Sequence, residues 1–348
     1  MPYSPIAVVT GGSAGIGRAI VDALLDRGYR VAVLARGRKR LETLSRIKNG
    51  RVWTRSLDVG DGAALERAGD AIVAELGVPD VWVNNAMVTS LSPFSEVGEA
   101  EFRKITDTVY LGTVNGCRTA LRIMARGNIV NIGSGLAYVS VPNQAAYCGA
   151  KHAIEGFTQA LRIELAQARR PITLSMVQLP AVNTPQADWA RDRMDRKQQP
   201  APPIFQPEVA AEGVLRAIDT DAREVLVGRS VPQMMLGNML FPTAVERTLV
   251  KIGTKVQLSN RPNLGRLDNL DAPVEDYPTT SHGPYDDRAS PHGIVVDGDF
   301  MRKAVVLGGV AALLATGMLL GRVTASGGAP RRLGRARARP SRLRAAGL

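Results

Sequence analysis

Cysteine and histidine are scarce in this chain of 348 residues, which contains only 2 Cys and 3 His. Cys117 and Cys148 cannot form a disulfide framework, so we expect a reducing compartment. Cys and His do not cluster in the sequence, which argues against a structural zinc site. The few residues before the first glycine-rich motif leave no room for a charged and an apolar region, so no signal peptide is expected.

Acidic residues are missing from the C-terminal end. Residues 322–348 contain eight Arg and no Asp, Glu or Lys, and they supply most of the net charge of +12. Residues 1–321 have 36 basic and 32 acidic side chains and therefore a net charge of +4. Because the basic tail also lacks interleaved aromatic residues, we do not expect nucleic acid as a partner.

Hydrophobic residues make up 45% of the sequence, enough to bury a core, and up to about residue 228 they fall into short runs. The runs are Ile6–Val9, Val31–Leu34, Val52–Leu57, Val81–Val83, Ile129–Ile132, Ile172–Val177 and Val225–Val227. They are rich in Val and Ile and lack strict polar alternation, which indicates strands buried on both faces of a parallel sheet. Between them, apolar residues recur at helical spacing, as in Ile16–Leu24 and Phe157–Leu165. The alternation predicts an α/β fold with a doubly wound Rossmann sheet.

The composition changes along the chain, and we expect four parts. They are a Rossmann domain at residues 1–255, an irregular linker or surface strap at 256–302, a hydrophobic helix at 303–321 and an Arg-rich disordered tail at 322–348. Within the first part, residues 185–207 hold five Pro and predict a mobile loop with short helices beside the carboxyl ends of the strands. Residues 231–252 predict an amphipathic segment that packs on the body or on a partner.

The segment Ala304–Gly321 has 18 residues without a charge, close to the length of a membrane span. We interpret it as a membrane attachment, with a buried oligomerisation helix as the alternative. The Arg-rich tail would favour a cytoplasmic C-terminus, whereas a folded domain without a signal is expected to stay in the cytoplasm. Two forms of attachment therefore remain: a tail anchor inserted against the charge bias, or a segment that enters without crossing while the tail binds anionic lipid headgroups.

A glycine-rich turn, Thr10–Gly17, directly follows the first predicted strand and opens the first helix. Glycines at 11, 15 and 17 permit a tight turn and a close approach of the backbone to a pyrophosphate. The helix N-terminus then presents free N–H groups to that anion. The turn therefore predicts a dinucleotide-binding site.

The second strand ends at Ala35-Arg36, where an acidic residue would accept the ribose hydroxyls of NAD(H). Ala35 cannot do so, whereas Arg36 can pair with a 2′-phosphate. Gly37 is followed by three further basic residues, at positions 38–40, where a helix is predicted to start. Positive charge there opposes the helix dipole, and a bound phosphate would offset this unfavourable interaction. We therefore favour NADP(H) over NAD(H). Asp58, after the third strand, is positioned to meet the adenine or else to cap the next helix.

Three polar residues form a candidate catalytic group. Tyr147 and Lys151 are four residues apart, on one face of a helix, and Ser134 follows the Ile129–Ile132 strand. A phenol has a pKa of about 10, which an adjacent ammonium and a positive nicotinamide ring would lower. Ser134 could hydrogen-bond the substrate oxygen.

Together these motifs resemble the short-chain dehydrogenase/reductase family over roughly residues 5–228. The matching residues are Thr10–Gly17, Asp58, Asn84-Asn85-Ala86, Ser134, Tyr147, Lys151 and Thr184. The resemblance implies a seven-stranded parallel sheet, a nicotinamide cofactor and Tyr147 as general acid/base. It also implies that Lys151 lowers the Tyr147 pKa and binds the nicotinamide ribose, and that long helices near 101–125 and 148–168 form a homodimer or homotetramer. The expected cofactor contacts are Thr10, Gly11, Ser13, Gly15, Ile16, Gly17, Arg36, Asp58, Asn85, Tyr147, Lys151, Val182 and Thr184.

Three positions depart from the family pattern. Met87 stands where a glycine follows Asn-Asn-Ala, and Leu179-Pro180 replaces Pro-Gly. Val109 occupies the place of the catalytic Asn that helps hold a water for the proton relay from Lys, and Asn115 lies almost two helical turns away. Our hypothesis is that water reaches Lys151 through a backbone carbonyl near Val109.

The sequence thus predicts an NADP(H)-dependent oxidoreductase that transfers a hydride between nicotinamide and a carbonyl or secondary alcohol. Trp189 and Phe205 in the long loop, together with the membrane segment, suggest a lipophilic substrate. The alternative is a non-catalytic dinucleotide-binding sensor or regulatory protein of the same fold, which the missing Asn favours.

Overall fold

A computed structural model describes residues 4–308 of the chain. The strands are β1 (Ile6–Thr10), β2 (Arg30–Ala35), β3 (Val52–Ser56), β4 (Val81–Asn84), β5 (Ser90–Leu91), β6 (Gly127–Ile132), β7 (Ile172–Gln178), β8 (Ala181–Val182), β9 (Arg191–Asp192), β10 (Arg196–Gln198), β11 (Ile204–Phe205), β12 (Glu224–Val227), β13 (Leu258–Pro262), β14 (Ala289–Ser290) and β15 (Val295–Asp297).

The helices alternate with the longer strands. They are α1 (Gly15–Asp26), α2 (Arg38–Ile47), α3 (Gly62–Glu75), α4 (Glu99–Thr106), α5 (Gly112–Ile123), α6 (Ala145–Gln167), α7 (Gln186–Trp189), α8 (Pro207–Thr220), α9 (Ser230–Leu240) and α10 (Pro242–Ile252). A π-helical turn, Asp107–Leu111, joins α4 to α5.

The central sheet has eight strands in the order β3-β2-β1-β4-β6-β7-β12-β15. All seven predicted strands are confirmed, and they pair in parallel. The expected seven-stranded sheet needs one correction, because β15 adds an eighth, antiparallel strand beside β12. The sheet is therefore mostly parallel, with a doubly wound arrangement on its two faces.

Each long strand is buried on both faces, as the missing polar alternation predicts. In β1, Ala7 and Val9 face the core that includes α1 and α8, while Val8 faces the opposite core with α3, α5 and α6. The two cores fix the register of the strands, since a shift by one residue would exchange their faces. The carboxyl ends of β1, β2, β4, β6 and β7 consequently meet at one edge.

The chain does not divide where the sequence predicts it. Met1–Asp299 forms one compact unit and Phe300–Leu348 a second, so most of the expected linker belongs to the first unit. Residues 256–299 form a strap whose three strands pair with the body: β13 with β10, β14 with β11 and β15 with β12. Edge pairing uses backbone groups and needs few apolar side chains, which is why the composition indicated an irregular segment.

The two other predicted segments have regular structure. Residues 185–207 contain the one-turn helix α7 and the short strands β9, β10 and β11 rather than a loop with helices alone. Residues 231–252, predicted as one amphipathic segment, form two consecutive helices, α9 and α10, of which Val231 alone is fully buried.

The predicted hydrophobic helix lies largely outside the described residues. Residues 298–308 are helical, and within 4–308 no helix is both long and apolar enough to cross a membrane. Residues 309–321 and the Arg-rich tail at 322–348 are not described, so both predictions stay predictions.

Candidate active site

A cavity of ≈ 540 Å³ lies at the carboxyl edge of the central sheet. It brings together nearly all of the predicted site residues: Gly11, Ser13, Gly15, Ile16, Gly17, Arg36, Asp58, Asn85, Ser134, Tyr147, Lys151, Val182 and Thr184. Thr10 is the predicted contact that does not line it. Residues from six strand ends and the strap therefore share one cleft.

The glycine-rich turn is shaped by close backbone contacts. Gly11 has φ +68°, which favours glycine, and a Cβ there would stand 2.8 Å from the Cα of Ala86. A Cβ on Gly17 would stand 2.3 Å from the carbonyl oxygen of Gly11. Larger residues would therefore force the turn away from β4. The two glycines therefore let the turn pack closely on Ala86 and on the start of α1.

Thr10 has a supporting position beneath that turn. Its Oγ1 accepts hydrogen bonds from the backbone N–H groups of Asn85 at 2.9 Å and Ala86 at 3.1 Å. The Asn85 amide in turn donates to the Thr10 carbonyl at 3.0 Å. The threonine thus fixes the Asn85 loop against the end of β1, and Asn85 itself faces the cavity.

The basic run after β2 divides between the cavity and the surface. Arg36 donates to the carbonyl oxygens of Asn269 and Leu270, the latter at 2.8 Å. Arg40 is only 8% exposed and lies over the Trp189 ring, 4.7 Å from its centroid. Burial lowers the pKa of both guanidinium groups. Arg40 Nε and Nη1 have no hydrogen-bond partner among residues 4–308, so this cation is buried beside the cavity without a bonded anion.

Asp58 lines the cavity and does not cap the following helix. The cap of α3 is Asp61, whose side chain accepts from the backbone N–H of Ala64. Burial on its own would raise the pKa of the Asp58 carboxyl, but hydrogen bonds from Lys104 and from the Gly60 N–H lower it overall. Asp58 is therefore ionised at neutral pH, at the position predicted to meet the adenine.

Ser134, Tyr147 and Lys151 meet at the ends of β6 and α6. The Lys151 Nζ donates to the Ile132 carbonyl at 2.7 Å and lies 5.5 Å from the centroid of the Tyr147 ring. The Ser134 side chain is in hydrogen-bonding contact with the Tyr147 hydroxyl. The spacing along α6 and the end of β6 therefore place all three polar groups together, as the sequence predicts.

Burial dominates the protonation of this group. It lowers the pKa of the Lys151 amine from 10.5 to about 7. Burial also raises the pKa of the Tyr147 phenol, and the nearby Cys148 thiol adds to the rise while Ser134 opposes it. Among the chain's own groups, burial has the largest effect on the Tyr147 pKa, and the lowering predicted from Lys151 together with a positive nicotinamide ring stays a prediction. The phenol holds its proton at neutral pH, and the amine can exchange one.

A buried polar cluster holds the backbone of Ser134. The Gln178 side chain accepts from the Ser134 N–H at 2.8 Å, and its amide donates to Glu155 at 2.6 Å and to Glu224 at 3.3 Å. The Tyr138 hydroxyl donates to the same Glu224 carboxylate. Gln178 and Glu224 are buried, so their hydrogen bonds are strong constraints on the serine loop.

Val109, which stands in place of the family's Asn, has an apolar environment around its side chain and a polar contact at its backbone carbonyl. Val109 is buried against Ala146, Ala150 and Ile154 of α6, so an Asn side chain there would enter a hydrophobic contact. Its carbonyl accepts from the Thr113 hydroxyl at 2.9 Å. Asn115 donates instead to the Val59 carbonyl at 3.0 Å, which excludes it as a substitute.

The neighbouring Thr108 has a different environment. It belongs to the π-helical turn, is 4% exposed and lines the cavity that Lys151 also lines. Its Oγ1 has no hydrogen-bond partner among the described residues. A buried hydroxyl of this kind calls for a water or a ligand group, because leaving it unpaired costs about 1–3 kcal/mol.

Several cavity residues were not predicted from the sequence. They are Arg40, Thr108, Gln144, Met234, Leu249, Ile252, Asn269 and Pro273. The sequence shows the basic run that contains Arg40, but it does not show which of these side chains reaches the cavity. The strap residues gave no signal, because they reach the cavity through a segment without periodicity.

Comparisons with known proteins agree with this geometry. A family model described as short chain dehydrogenase matches residues 5–195. The Bacillus subtilis oxidoreductase YxnA is 28% identical over 269 residues, which cover 74% of this chain and 75% of that protein.

Two solved structures are similar in fold. A short chain dehydrogenase from Burkholderia cenocepacia in complex with NADP has a TM-score of 0.59 and 26% identity, covering 71% of this chain and 98% of that one. A short chain dehydrogenase/reductase from Burkholderia phymatum in complex with NAD has a TM-score of 0.61 and 21% identity, covering 70% and 95%. The fold thus occurs in these neighbours with either dinucleotide.

The depressed pKa of Lys151 predicts a specific pH dependence of stability. The unfolded chain, with a pKa near 10.5, binds a proton that the folded chain has released above about pH 7. The buried amine therefore costs the folded chain free energy below its unfolded pKa, and this cost falls as the pH rises from 7. In denaturant unfolding, the free energy of unfolding of the natural chain minus that of Lys151→Met should rise by about 1–2 kcal/mol between pH 7 and 8.5. A value that stays constant or falls would mean that the buried amine keeps its charge.

Proposed function

The chain belongs to the short-chain dehydrogenase family, and from this premise we propose that it is an NADP(H)-dependent oxidoreductase acting on a carbonyl or secondary alcohol. The observation that carries the proposal is the convergence of Ser134, Tyr147 and Lys151 in the same cavity as the glycine-rich turn. These three polar groups beside a glycine-rich turn are the arrangement expected in an enzyme of this family.

The cavity residues fit a dinucleotide. Gly11 and Gly17 keep the glycine-rich turn tight at the wall of the cavity, and Arg40 offers buried donor nitrogens without partners among the described residues. These two features suit a pyrophosphate and a second phosphate group, respectively. When bound, the dinucleotide supplies or accepts the hydride.

We assign the proton to Tyr147 in the direction of reduction. Because burial raises its pKa, the phenol is protonated at neutral pH and can donate its proton to the substrate oxygen. Ser134 orients that oxygen by a second hydrogen bond. With a pKa of about 7, the Lys151 amine can give and take a proton near neutrality and so return one towards Tyr147.

We propose that Thr108 completes the relay that the family builds with Asn. Its buried, unpartnered hydroxyl lines the same cavity as Lys151, whereas the side chain of Val109 packs against α6. A hydroxyl can accept a proton from one neighbour and donate one to the next. Thr108 would therefore position a water that connects Lys151 with solvent.

The preference for NADP(H) rests on the cations at the end of β2. Arg36 and Arg40 both line the cavity, and β2 ends at Ala35 without a carboxylate for the ribose. A 2′-phosphate would give the buried Arg40 guanidinium the anion that its nitrogens lack. NAD(H) remains the less favoured cofactor.

The substrate is proposed to be lipophilic. Met234 on α9, Leu249 and Ile252 on α10, and Leu136 beside Ser134 give one side of the cavity an apolar lining. Trp189 of the predicted loop also reaches the cavity, but Phe205 does not line it. Such a wall favours a carbonyl compound with a hydrocarbon portion over a small polar one.

A homodimer or homotetramer is proposed from the exposed apolar residues on the predicted helices. Phe102 on α4, Leu111 at the π-helical turn and Ile163 on α6 are 38%, 41% and 61% exposed. Large apolar side chains at such positions suit association between copies.

Membrane attachment through residues 304–321 is proposed from the sequence alone, with a cytoplasmic catalytic unit. Fractionation of the full chain and of a chain lacking 304–348 tests it. The full chain should sediment with membranes, and the shortened chain should remain in the supernatant. Recovery of both chains in the supernatant at low salt would contradict any attachment.

The alternative function is a dinucleotide-binding sensor, which the replacement of the catalytic Asn by Val109 favours. The two functions differ in turnover. A sensor would bind NADPH and oxidise none of it with any carbonyl.

The assignment of Tyr147 predicts the effect of removing its hydroxyl. In Tyr147→Phe, NADPH oxidation with a panel of aliphatic and aromatic carbonyls should fall by at least about 100-fold, because no group replaces the acid. NADPH binding, followed by fluorescence, should change little. Equal turnover by Tyr147→Phe would remove the phenol from the mechanism, and absence of turnover in the natural chain would favour the sensor.

The role of Thr108 predicts a difference between two conservative variants. Thr108→Val keeps the shape but loses the hydroxyl, so kcat should fall about 10- to 100-fold, with KM and NADPH binding nearly unchanged. Thr108→Ser should restore most of kcat. The solvent isotope effect should rise in Thr108→Val, because proton return becomes limiting. Equal kcat in the Val and Ser variants, or a loss in KM alone, would contradict the relay.

A further inference from the structure

The strap closes over the nucleotide half of the cavity. The carbonyl of Thr280 accepts the N–H of Gly15 in the glycine-rich turn at 2.9 Å, and that of Thr279 accepts from Arg18 at 3.4 Å. Asn269 and Pro273 line the cavity itself. A segment that the sequence indicated as an irregular linker thus forms a wall of the proposed cofactor site.

One strap residue brings a negative charge to the start of α2. Glu275 Oε1 accepts the backbone N–H of Arg38, the first residue of that helix, at 2.8 Å. A helix N-terminus favours an anion, and three consecutive basic residues here increase the field. The sequence analysis expected a bound phosphate to offset the positive charge at the start of α2. In the structure the Glu275 carboxylate offsets it.

The second carboxylate oxygen faces Arg40 across a glycine. Glu275 Oε2 and Arg40 Nε lie 3.1 and 3.2 Å from the point where a Cβ on Gly37 would stand. Neither atom has a hydrogen-bond partner among residues 4–308. The carboxylate and the buried guanidinium therefore attract each other without forming an ion pair among the described residues, and Arg40, which lines the cavity, keeps Nε and Nη1 without a partner.

We propose that Glu275 is a resident anion at the 2′-phosphate position, which that phosphate displaces, so that this strap residue sets the preference between NADP(H) and NAD(H). The inference rests on the proposed binding of NADP(H). Two anions cannot share the Arg38 N–H and the Arg40 guanidinium without repulsion. The carboxylate thus weakens the binding of a 2′-phosphate and leaves a dinucleotide without that phosphate unaffected.

The neighbouring Asp276 provides a matched control. Its side chain is 91% exposed and lies 3.6 Å from Lys39 at the surface. Asp276→Asn removes the same charge as Glu275→Gln, one residue further along the strap. Comparison of the two variants separates a local anion effect from a change in net charge.

The experiment measures binding of two nucleotide fragments by calorimetry, 2′,5′-ADP and 5′-ADP, to the full chain. Glu275→Gln should bind 2′,5′-ADP about 5- to 20-fold more tightly, because one like charge is removed, and 5′-ADP as before. Asp276→Asn should change both dissociation constants by less than about twofold. Glu275→Asp retains the charge and should keep the natural ratio of the two constants.

Other outcomes overturn the inference. Weaker binding of 5′-ADP by Glu275→Gln would mean that the carboxylate contacts the ribose, and equal shifts for both fragments would mean that it only holds the strap. If Asp276→Asn changed the dissociation constant of 2′,5′-ADP as much as Glu275→Gln does, the effect would come from the net charge of the chain and not from the position of Glu275. If the natural chain oxidises NADPH but Glu275→Gln leaves the ratio of the 2′,5′-ADP and 5′-ADP dissociation constants unchanged, only this inference fails. If the natural chain binds neither fragment, the proposed function fails with it.

Discussion

The burial of the Lys151 amine is the constraint on which the site depends. An amine inside the protein needs an acceptor, and the Ile132 carbonyl at the end of β6 provides it at 2.7 Å. This contact ties α6 to the carboxyl edge of the sheet. Tyr147 lies one helical turn earlier on α6, so this contact also brings Tyr147 to the end of β6, where Gln178 holds the backbone of Ser134. The same burial brings the amine pKa to about 7, where proton exchange is easy.

The parts of the fold that depend on local patterns could be predicted from the sequence. The seven parallel strands follow from short Val- and Ile-rich runs, because a strand buried on both faces has no place for polar alternation. Gly11 and Gly17 indicate a tight turn, because the neighbouring atoms leave no room for a Cβ at either position. The pair Tyr147 and Lys151 follows from helical spacing. Each of these signals lies within a few neighbouring residues.

The remainder depends on contacts between distant segments that use backbone groups. Thr280 and Leu270 reach Gly15 and Arg36 through carbonyl oxygens, which every residue type possesses, so no side-chain pattern indicates them. That Thr108 lines the cavity could not be predicted from the sequence for another reason. Thr108 lines the cavity from a π-helical turn, where the ordinary helical spacing no longer gives the face of each residue. The contacts of the strap and the position of Thr108 are therefore visible only in the three-dimensional structure.

The central claim is that this cavity transfers a hydride between a dinucleotide and a carbonyl carbon while Tyr147 supplies the proton. The most direct measurement uses NADPH deuterated at the transferred position of the nicotinamide, with product analysis by mass spectrometry. The account predicts that a carbonyl substrate is reduced to an alcohol carrying that deuterium on its carbinol carbon. Bound and intact deuterated NADPH, with no deuterium in any alcohol across a broad carbonyl panel, would contradict it.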